Sequence, residues 1–245
     1  MSNIDRVAIV TGGSRGIGAA ISRRLARDGF AIVVNYAGNE KAAVDTVNEI
    51  VATGARAVAI KADVSHPDEV QSLFEQATST FGGVDVLVNN AGIFKMSLLA
   101  EADDRHIDSH IDINIKGSIY TMREAAKHLR NDGRIVNFST SVVGTKFENY
   151  GVYAATKAAV ETLTAIMAKE LRGRSITVNA IAPGPTATEL FFDGKSEELI
   201  ERLAKANPLE RLGEPDDIAN VVAFLVGPDG GWINGQTIRA NGGMV

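Results

Sequence analysis

The 245-residue chain contains no cysteine. Disulfides, thiolate metal sites and a cysteine nucleophile are thereby excluded, and a reducing compartment fits. It has no run of lysine and arginine and its formal net charge is −5, so a nucleic-acid footprint is not expected. No stretch approaches the roughly 20 apolar residues that span a bilayer. Met1 to Arg6 is polar and does not read as a signal peptide. Linkers, internal repeats and low-complexity segments are also missing. What remains is a cytoplasmic globular enzyme or binding domain, expected to form a single domain over 1–245.

What is present is a rhythm. Short apolar runs at Val7–Val10, Ala31–Val34, Ala57–Ile60, Val84–Val88, Ile135–Phe138 and Ile176–Ile181 are mostly rich in Val and Ile. They lack polar-out alternation, which is the habit of parallel strands buried on both faces. Between them, Ile17–Asp28 and Glu40–Thr53 carry helical spacing and stop at Gly29 and Gly54. His66-Pro67-Asp68 opens another helix, and Asp103–Leu129 and Val152–Leu171 read as two longer ones. The alternation predicts an α/β fold: a doubly wound, Rossmann-type, mostly parallel seven-stranded sheet with helices on both faces. A last strand falls near Thr237–Arg239. The segment 186–207 is a long excursion of the kind that forms substrate lids.

The first strand runs into Thr11-Gly12-Gly13-Ser14-Arg15-Gly16-Ile17-Gly18, which opens the first helix. Glycines there allow a tight turn and close approach of a pyrophosphate, which the free N–H groups of the helix end then receive. Gly12, Ser14, Arg15, Gly16, Ile17 and Gly18 are the expected phosphate contacts. The second strand ends in Asn35, where binders of NAD carry a carboxylate for the ribose 2′-hydroxyl. Without that carboxylate a 2′-phosphate is not repelled, and Arg15 is a positive partner, so NADP(H) is favoured over NAD(H). Asp63 and Val64 after the third strand, and Asn90, Ala91 and Gly92 after the fourth, are expected to line the same cofactor. Each is also an ordinary loop residue.

Tyr153 and Lys157 lie four positions apart in a helical stretch, one turn apart on one face. A free tyrosine is phenolate in only about one molecule in a thousand at neutral pH, and a nearby ammonium favours that form. The pair is suited to general acid/base work on a carbonyl or an alcohol. By itself the pair is a common helix-surface contact. A strand-end hydroxyl in Ser139-Thr140-Ser141 is placed to stabilise an oxyanion beside it. Asn114, in the long fourth helix, either packs there or holds a water that feeds protons to Lys157.

These residues together resemble the classical short-chain dehydrogenase/reductase family, over nearly the whole chain from Arg6. The matching elements are Thr11–Gly18, Asn89–Gly92, Asn114, Ser141, Tyr153-Ala154-Ala155-Thr156-Lys157, Pro183-Gly184 through Thr188, Asn234–Thr237 and Asn241-Gly242-Gly243. Within the family the chain is similar to the bacterial 3-oxoacyl-carrier-protein reductase group. The resemblance implies hydride transfer without a metal and a homotetramer built on the two long helices. It implies Tyr153 as acid/base, Lys157 lowering its pKa and binding ribose, Ser141 orienting substrate, and Asn114 completing a proton relay. Pro183, Gly184, Thr186 and Thr188 would meet the nicotinamide end, with Thr188 on the carboxamide. The family commonly sets its serine thirteen positions before the tyrosine, where this chain has Thr140. Ser141 is preferred because Ser-Val-Val-Gly matches the family's serine-x-x-glycine, with Ser139 as the alternative.

Phe147, Phe191, Phe192 and Met96 are candidates for an apolar pocket lining. Lys95, Lys146, Lys195 and Arg105 are candidates for docking an acyl carrier protein, or simply a solvated face. Two functions compete: an NADP(H)-dependent reductase of carbonyls, and a non-catalytic NADP(H)-binding redox-sensing module that would not need the acid/base set.

Overall fold

In the computed structural model, which describes residues 6–245, seven strands form one sheet. They are β1 (Val7–Val10), β2 (Ala31–Tyr36), β3 (Ala57–Lys61), β4 (Val84–Asn89), β5 (Leu129–Phe138), β6 (Thr177–Pro183) and β7 (Thr237–Ala240). Their order is β3-β2-β1-β4-β5-β6-β7, and every pairing is parallel. This is the doubly wound, Rossmann-type architecture that the apolar runs predict.

The side-chain alternation of a strand explains the layers. Ala8 and Val10 of β1 join one core, with Ile32 and Val34 of β2. Val7 and Ile9 join the opposite core, with Ala31 and Val33. The first core is covered by α1 (Gly16–Arg27), α2 (Glu40–Ala52) and a helix over Pro215–Val226, through Ile21, Leu25, Ile50, Ile218 and Val222. The second lies under α3 (Pro67–Phe81) and two later helices, through Leu73, Phe74, Met122 and Met167. The winding reverses between β1 and β4, so their loops part there and leave a crevice at the carboxyl edge.

Two expectations change. The stretch 103–129 is not one α-helix: α4 (Asp104–His110) passes through a π-helical stretch (Ile111–Lys116) into α5 (Gly117–His128), and Leu129 already belongs to β5. Strand β5 starts at Leu129 rather than Ile135. Its first half is polar and partly exposed, Asp132 takes φ 65°, and the pairing with β4 shifts register between Val84 and Val86. The remaining helices are α6 (Val142–Thr145), α7 (Gly151–Glu170), α8 (Glu189–Phe192), α9 (Glu197–Ala204) and α10 (Pro215–Val226), the last in a region to which the sequence pattern assigned nothing. None of the helices among the described residues is long and apolar enough to cross a membrane.

Candidate active site

The loops after β1, β2, β3 and β4 close around one cleft. Gly12 turns with φ +60°, and a Cβ there would stand 3.1 Å from the Ala91 Cα. A Cβ on Gly18 would stand within hydrogen-bond range of the wrong kind: 2.6 Å from Asn90 Nδ2, and closer still to the Gly12 carbonyl oxygen. Only glycine fits at position 18. Arg15 occupies the N-cap of α1 without a side-chain capping bond, so the first N–H groups of that helix remain available to an anion. Asn90 ties the loops together, donating to the carbonyls of Thr11 and Gly12 at 3.0 and 3.1 Å. Ala91 N donates to Thr11 Oγ1 at 3.0 Å. A backbone cradle that a Cβ would fill, at a free helix N-terminus, fits a dinucleotide pyrophosphate.

Ser14, Gly16, Ile17, Asp63, Val64 and Gly92 line this cleft. Val64 is 6% exposed and packs against Gly117. Asp63 is partly spent on a turn, accepting from Ser65 N at 2.9 Å and Ser65 Oγ at 2.7 Å. Asn35 borders this cleft as well. It is 1% exposed, and its amide donates to the carbonyls of Ala62 and Ile60 at 2.9 and 3.3 Å while its Oδ1 faces Gly12 N. Its polar atoms brace β2, β3 and the glycine loop. The 2′ end of the cleft is instead bordered by Arg15 and by Tyr36, Ala37, Gly38 and Asn39, which include no carboxylate.

The chemical end lies where α7 crosses the ends of β5 and β6. Tyr153 is partly exposed on the cleft, and Lys157 is buried behind it with Nζ 5.9 Å from the tyrosine ring centre. Nζ donates to Phe138 O at 2.9 Å. Burial lowers the Lys157 pKa to about 8 and raises that of Tyr153 to about 12. A hydrogen bond with Thr140 pulls the tyrosine back toward phenolate, and burial outweighs it. The resemblance implied that Lys157 depresses the tyrosine pKa. In this state desolvation wins, and Tyr153 stands as a neutral acid.

The three hydroxyls of 139–141 separate, as successive residues at a strand end do. Ser139 Oγ donates to Glu161 Oε1 at 2.5 Å. Ser141 Oγ donates to Ala182 O at 3.2 Å and accepts from Asn241 Nδ2 at 2.9 Å. Thr140 is the one that partners Tyr153. Ser141, expected to orient substrate, lines the pocket together with Ser139 and Thr140, while its hydroxyl bonds β6 and the C-terminal loop. The spacing of thirteen was the signal that pointed to Thr140.

Asn114 is fully buried in the π-helical stretch. Its Oδ1 accepts from Ile93 N at 2.9 Å, and its Nδ2 donates to Ile93 O at 3.0 Å and Thr156 Oγ1 at 3.2 Å. It fixes the loop after β4 to α7. A Cβ on Gly92 would lie 3.1 Å from Asn114 Oδ1 and 3.4 Å from Lys157 Nζ, so the absence of a side chain at Gly92 keeps the lysine within reach of the cleft. Pro183, Gly184, Thr186 and Thr188 border the same space from β6. Thr188 caps α8 by accepting from Phe191 N at 3.1 Å, and its methyl group approaches Gly16. It bridges the excursion 186–207 and the glycine loop.

Phe147 and Phe191 line the pocket in front of Tyr153, whereas Phe192 and Met96 do not. Phe94 and Tyr150 were not foreseen as lining. Phe94 meets Tyr153 edge-on at 4.9 Å and stacks on Tyr150 at 5.2 Å. Leu190, Phe191 and Lys195 bring the excursion over this pocket.

The chain is similar to known proteins over nearly its whole length. A family model described as enoyl-(acyl carrier protein) reductase matches residues 12–245. An NADPH-dependent aldehyde reductase-like chloroplastic protein of Arabidopsis thaliana is 44% identical, covering 98% of this chain and 94% of its own. A 3-oxoacyl-[acyl-carrier-protein] reductase of Staphylococcus aureus is 43% identical over 98% of both chains. A crystal structure of a short-chain dehydrogenase from Burkholderia cenocepacia in complex with NADP superposes with a TM-score of 0.93 over 99% of both chains, at 38% identity.

Proposed function

Because this chain belongs to the short-chain dehydrogenase/reductase family, we propose that it is an NADP(H)-dependent reductase of a carbonyl, with Tyr153 as its proton donor. The observation that carries this reading is the meeting of Tyr153, Thr140 and Lys157 at the mouth of the glycine-loop cleft.

The cradle of Gly12, Gly16, Gly18 and the α1 N-terminus would hold the pyrophosphate, and Arg15 the 2′-phosphate. NADP rather than NAD is supported by the absence of a carboxylate along Tyr36–Asn39 and by the NADP-bound Burkholderia relative. Lys157, with Nζ beside Gly92, would hold the nicotinamide ribose, and Pro183, Gly184, Thr186 and Thr188 would border the nicotinamide. When bound, the cofactor supplies the hydride.

The residues of the chain supply the rest. A carbonyl oxygen entering the pocket meets two hydroxyls. Tyr153 Oη gives it a proton as negative charge develops, and Thr140 donates a second hydrogen bond. A tyrosine raised to about 12 keeps its proton at neutral pH, which suits the reducing direction. The alkoxide that forms is a far stronger base than the phenolate, so the transfer runs downhill. Asn114 acts through position, holding Ile93 and α7 in register.

Acyl-carrier-protein substrates are the second candidate, favoured by the 43% identity to the Staphylococcus enzyme. Assembly as a homotetramer on α5 and α7 is supported by Ile119 and Ile166, large apolar side chains exposed on those helices. The test is a kinetic screen of the purified protein with NADPH and NADH against acyl thioesters, diketones, aldehydes, sugars and steroids. NADPH oxidation that Tyr153→Phe abolishes is the expected result. Tight NADP(H) binding with no turnover across the panel would instead support a redox-sensing module.

A further inference from the structure

Among the described residues, the pocket in front of Tyr153 has one charged side chain in its lining besides Lys157, namely Lys195, and no carboxylate lines it. Lys195 follows α8 in the excursion that covers the pocket. Its stem crosses toward the loop after β4. There Nζ sits 5.0 Å from the centre of the Phe94 ring and 4.8 Å from that of Phe191. It donates one hydrogen bond, to Phe191 O at 2.5 Å. An ammonium has three donors, so two remain. Among the described residues Lys195 forms no ion pair.

A surface lysine on a docking face would be solvated and mobile. This one is half-buried, and desolvation pulls its pKa below the ordinary lysine value, with Asp193 opposing only as a lesser influence. Aromatic faces compensate part of the lost hydration by cation–π attraction. They are much weaker acceptors than a carboxylate. A charge removed from water without a counter-ion is costly, and a ligand anion offsets that cost. The position of that anion is set by Phe94: the ring that Lys195 lies over is the one that meets Tyr153 edge-on. Lys195 and the proton donor are thus separated by one aromatic ring, with the apolar side chains of Leu190 and Phe147 along the same pocket.

We propose that Lys195 selects the substrate: the natural carbonyl compound carries a carboxylate on an apolar body, with its carbonyl at Tyr153 and its carboxylate on Nζ between Phe94 and Phe191. This rests on the reductase reading for its word substrate, and it replaces carrier-protein docking as the role of Lys195.

The test pairs each acid with its methyl ester. 4-Formylbenzoate and methyl 4-formylbenzoate are compared with NADPH, alongside 2-, 3-, 4- and 5-oxo acids and their esters. Turnover and calorimetric binding to the NADP-loaded protein are both measured. The wild type should favour the acid of the best-fitting pair. Lys195→Met should lower the acid-to-ester ratio of kcat/KM by about tenfold to a hundredfold, the range of a hydrogen bond between charged groups. Lys195→Arg should restore much of the ratio. The ester in each pair reports any damage to the lid itself. Turnover with the same acid-to-ester ratio in wild type and Lys195→Met overturns the inference and leaves Lys195 as a lid clasp. Acid binding that depends on Lys195 without reduction leaves the anion site standing and overturns the reductase reading.

Discussion

The Thr140 hydroxyl partners that of Tyr153, while the hydroxyl of its neighbour Ser141 turns away to Ala182 and Asn241. Thr140→Ala should therefore lower kcat/KM by about a hundredfold to a thousandfold, the range for one lost oxyanion donor. Thr140→Ser should keep most of the rate. Ser141→Ala should cost less in rate and more in thermal stability, since it releases Asn241. Steady-state kinetics beside melting curves separate the two residues. A larger rate loss in Ser141→Ala than in Thr140→Ala would return the role to the serine.

Tyr153→Phe removes the proton donor and keeps the ring that packs on Phe94. Turnover should fall by roughly two to four orders of magnitude. NADPH affinity, read by fluorescence titration, should stay within about twofold, because the glycine-loop cradle is untouched.

The pH profile of kcat/KM for reduction follows from two opposite shifts. Tyr153 at about 12 remains protonated across the working range and produces no break. Lys157 at about 8 is an ammonium below that pH and loses its charge above it. The rate should be level through neutrality and decline as pH rises through about 8. The ammonium that grips ribose is what is lost. In Lys157→Met the level should be low throughout and the break absent.

Cofactor choice gives a two-sided prediction. Asn35→Asp would set a carboxylate against the carbonyls of Ile60 and Ala62, where the amide now donates. It should destabilise the fold by about 1–3 kcal/mol, read as a lower melting temperature, without a clean switch toward NADH. Ala37→Asp combined with Arg15→Ala acts on the exposed rim. It should lower the NADPH-to-NADH ratio of kcat/KM by about tenfold or more through charge repulsion. A switch by Asn35→Asp in a protein of unchanged stability would contradict the bracing role.

The strands β1, β2, β4 and β6 were legible because burial on both faces leaves unbroken Val and Ile runs. The glycine loop was legible because its steric demands admit no other residue at Gly18. Tyr153 and Lys157 were legible because helical spacing fixes their shared face. Elsewhere the deciding contacts lie far apart in sequence. Helix α10 buries Ile218, Ala219, Val222, Ala223, Leu225 and Val226 in a stripe, but its outward Phe224 and half-buried Val221 are apolar too, so no polar face marks it in the sequence. The first half of β5 meets β4 only at Leu129 before the register shifts, a contact that no local apolar run announces. Which hydroxyl of 139–141 meets Tyr153 depends on the pleat at the strand end. Asn35 borders the cleft where its place at the end of β2 predicts, but that its amide is spent on Ile60 and Ala62 depends on the neighbouring strand.

One turn of the π-helical stretch through Asn114 holds one residue more than an α-helix would. Seen as a length of chain, residues 104–128 carry an insertion. Deleting one residue from 111–116 would give a continuous helix with regular hydrogen bonding. The helices on either side would keep their register, because the wide turn already absorbs the extra residue. What would be lost is local: Asn114 sits in that turn, and its bonds to Ile93 and Thr156 tie the loop after β4 to α7. The extra residue thus works as a spacer that sets one amide at the depth where two neighbouring elements can share it.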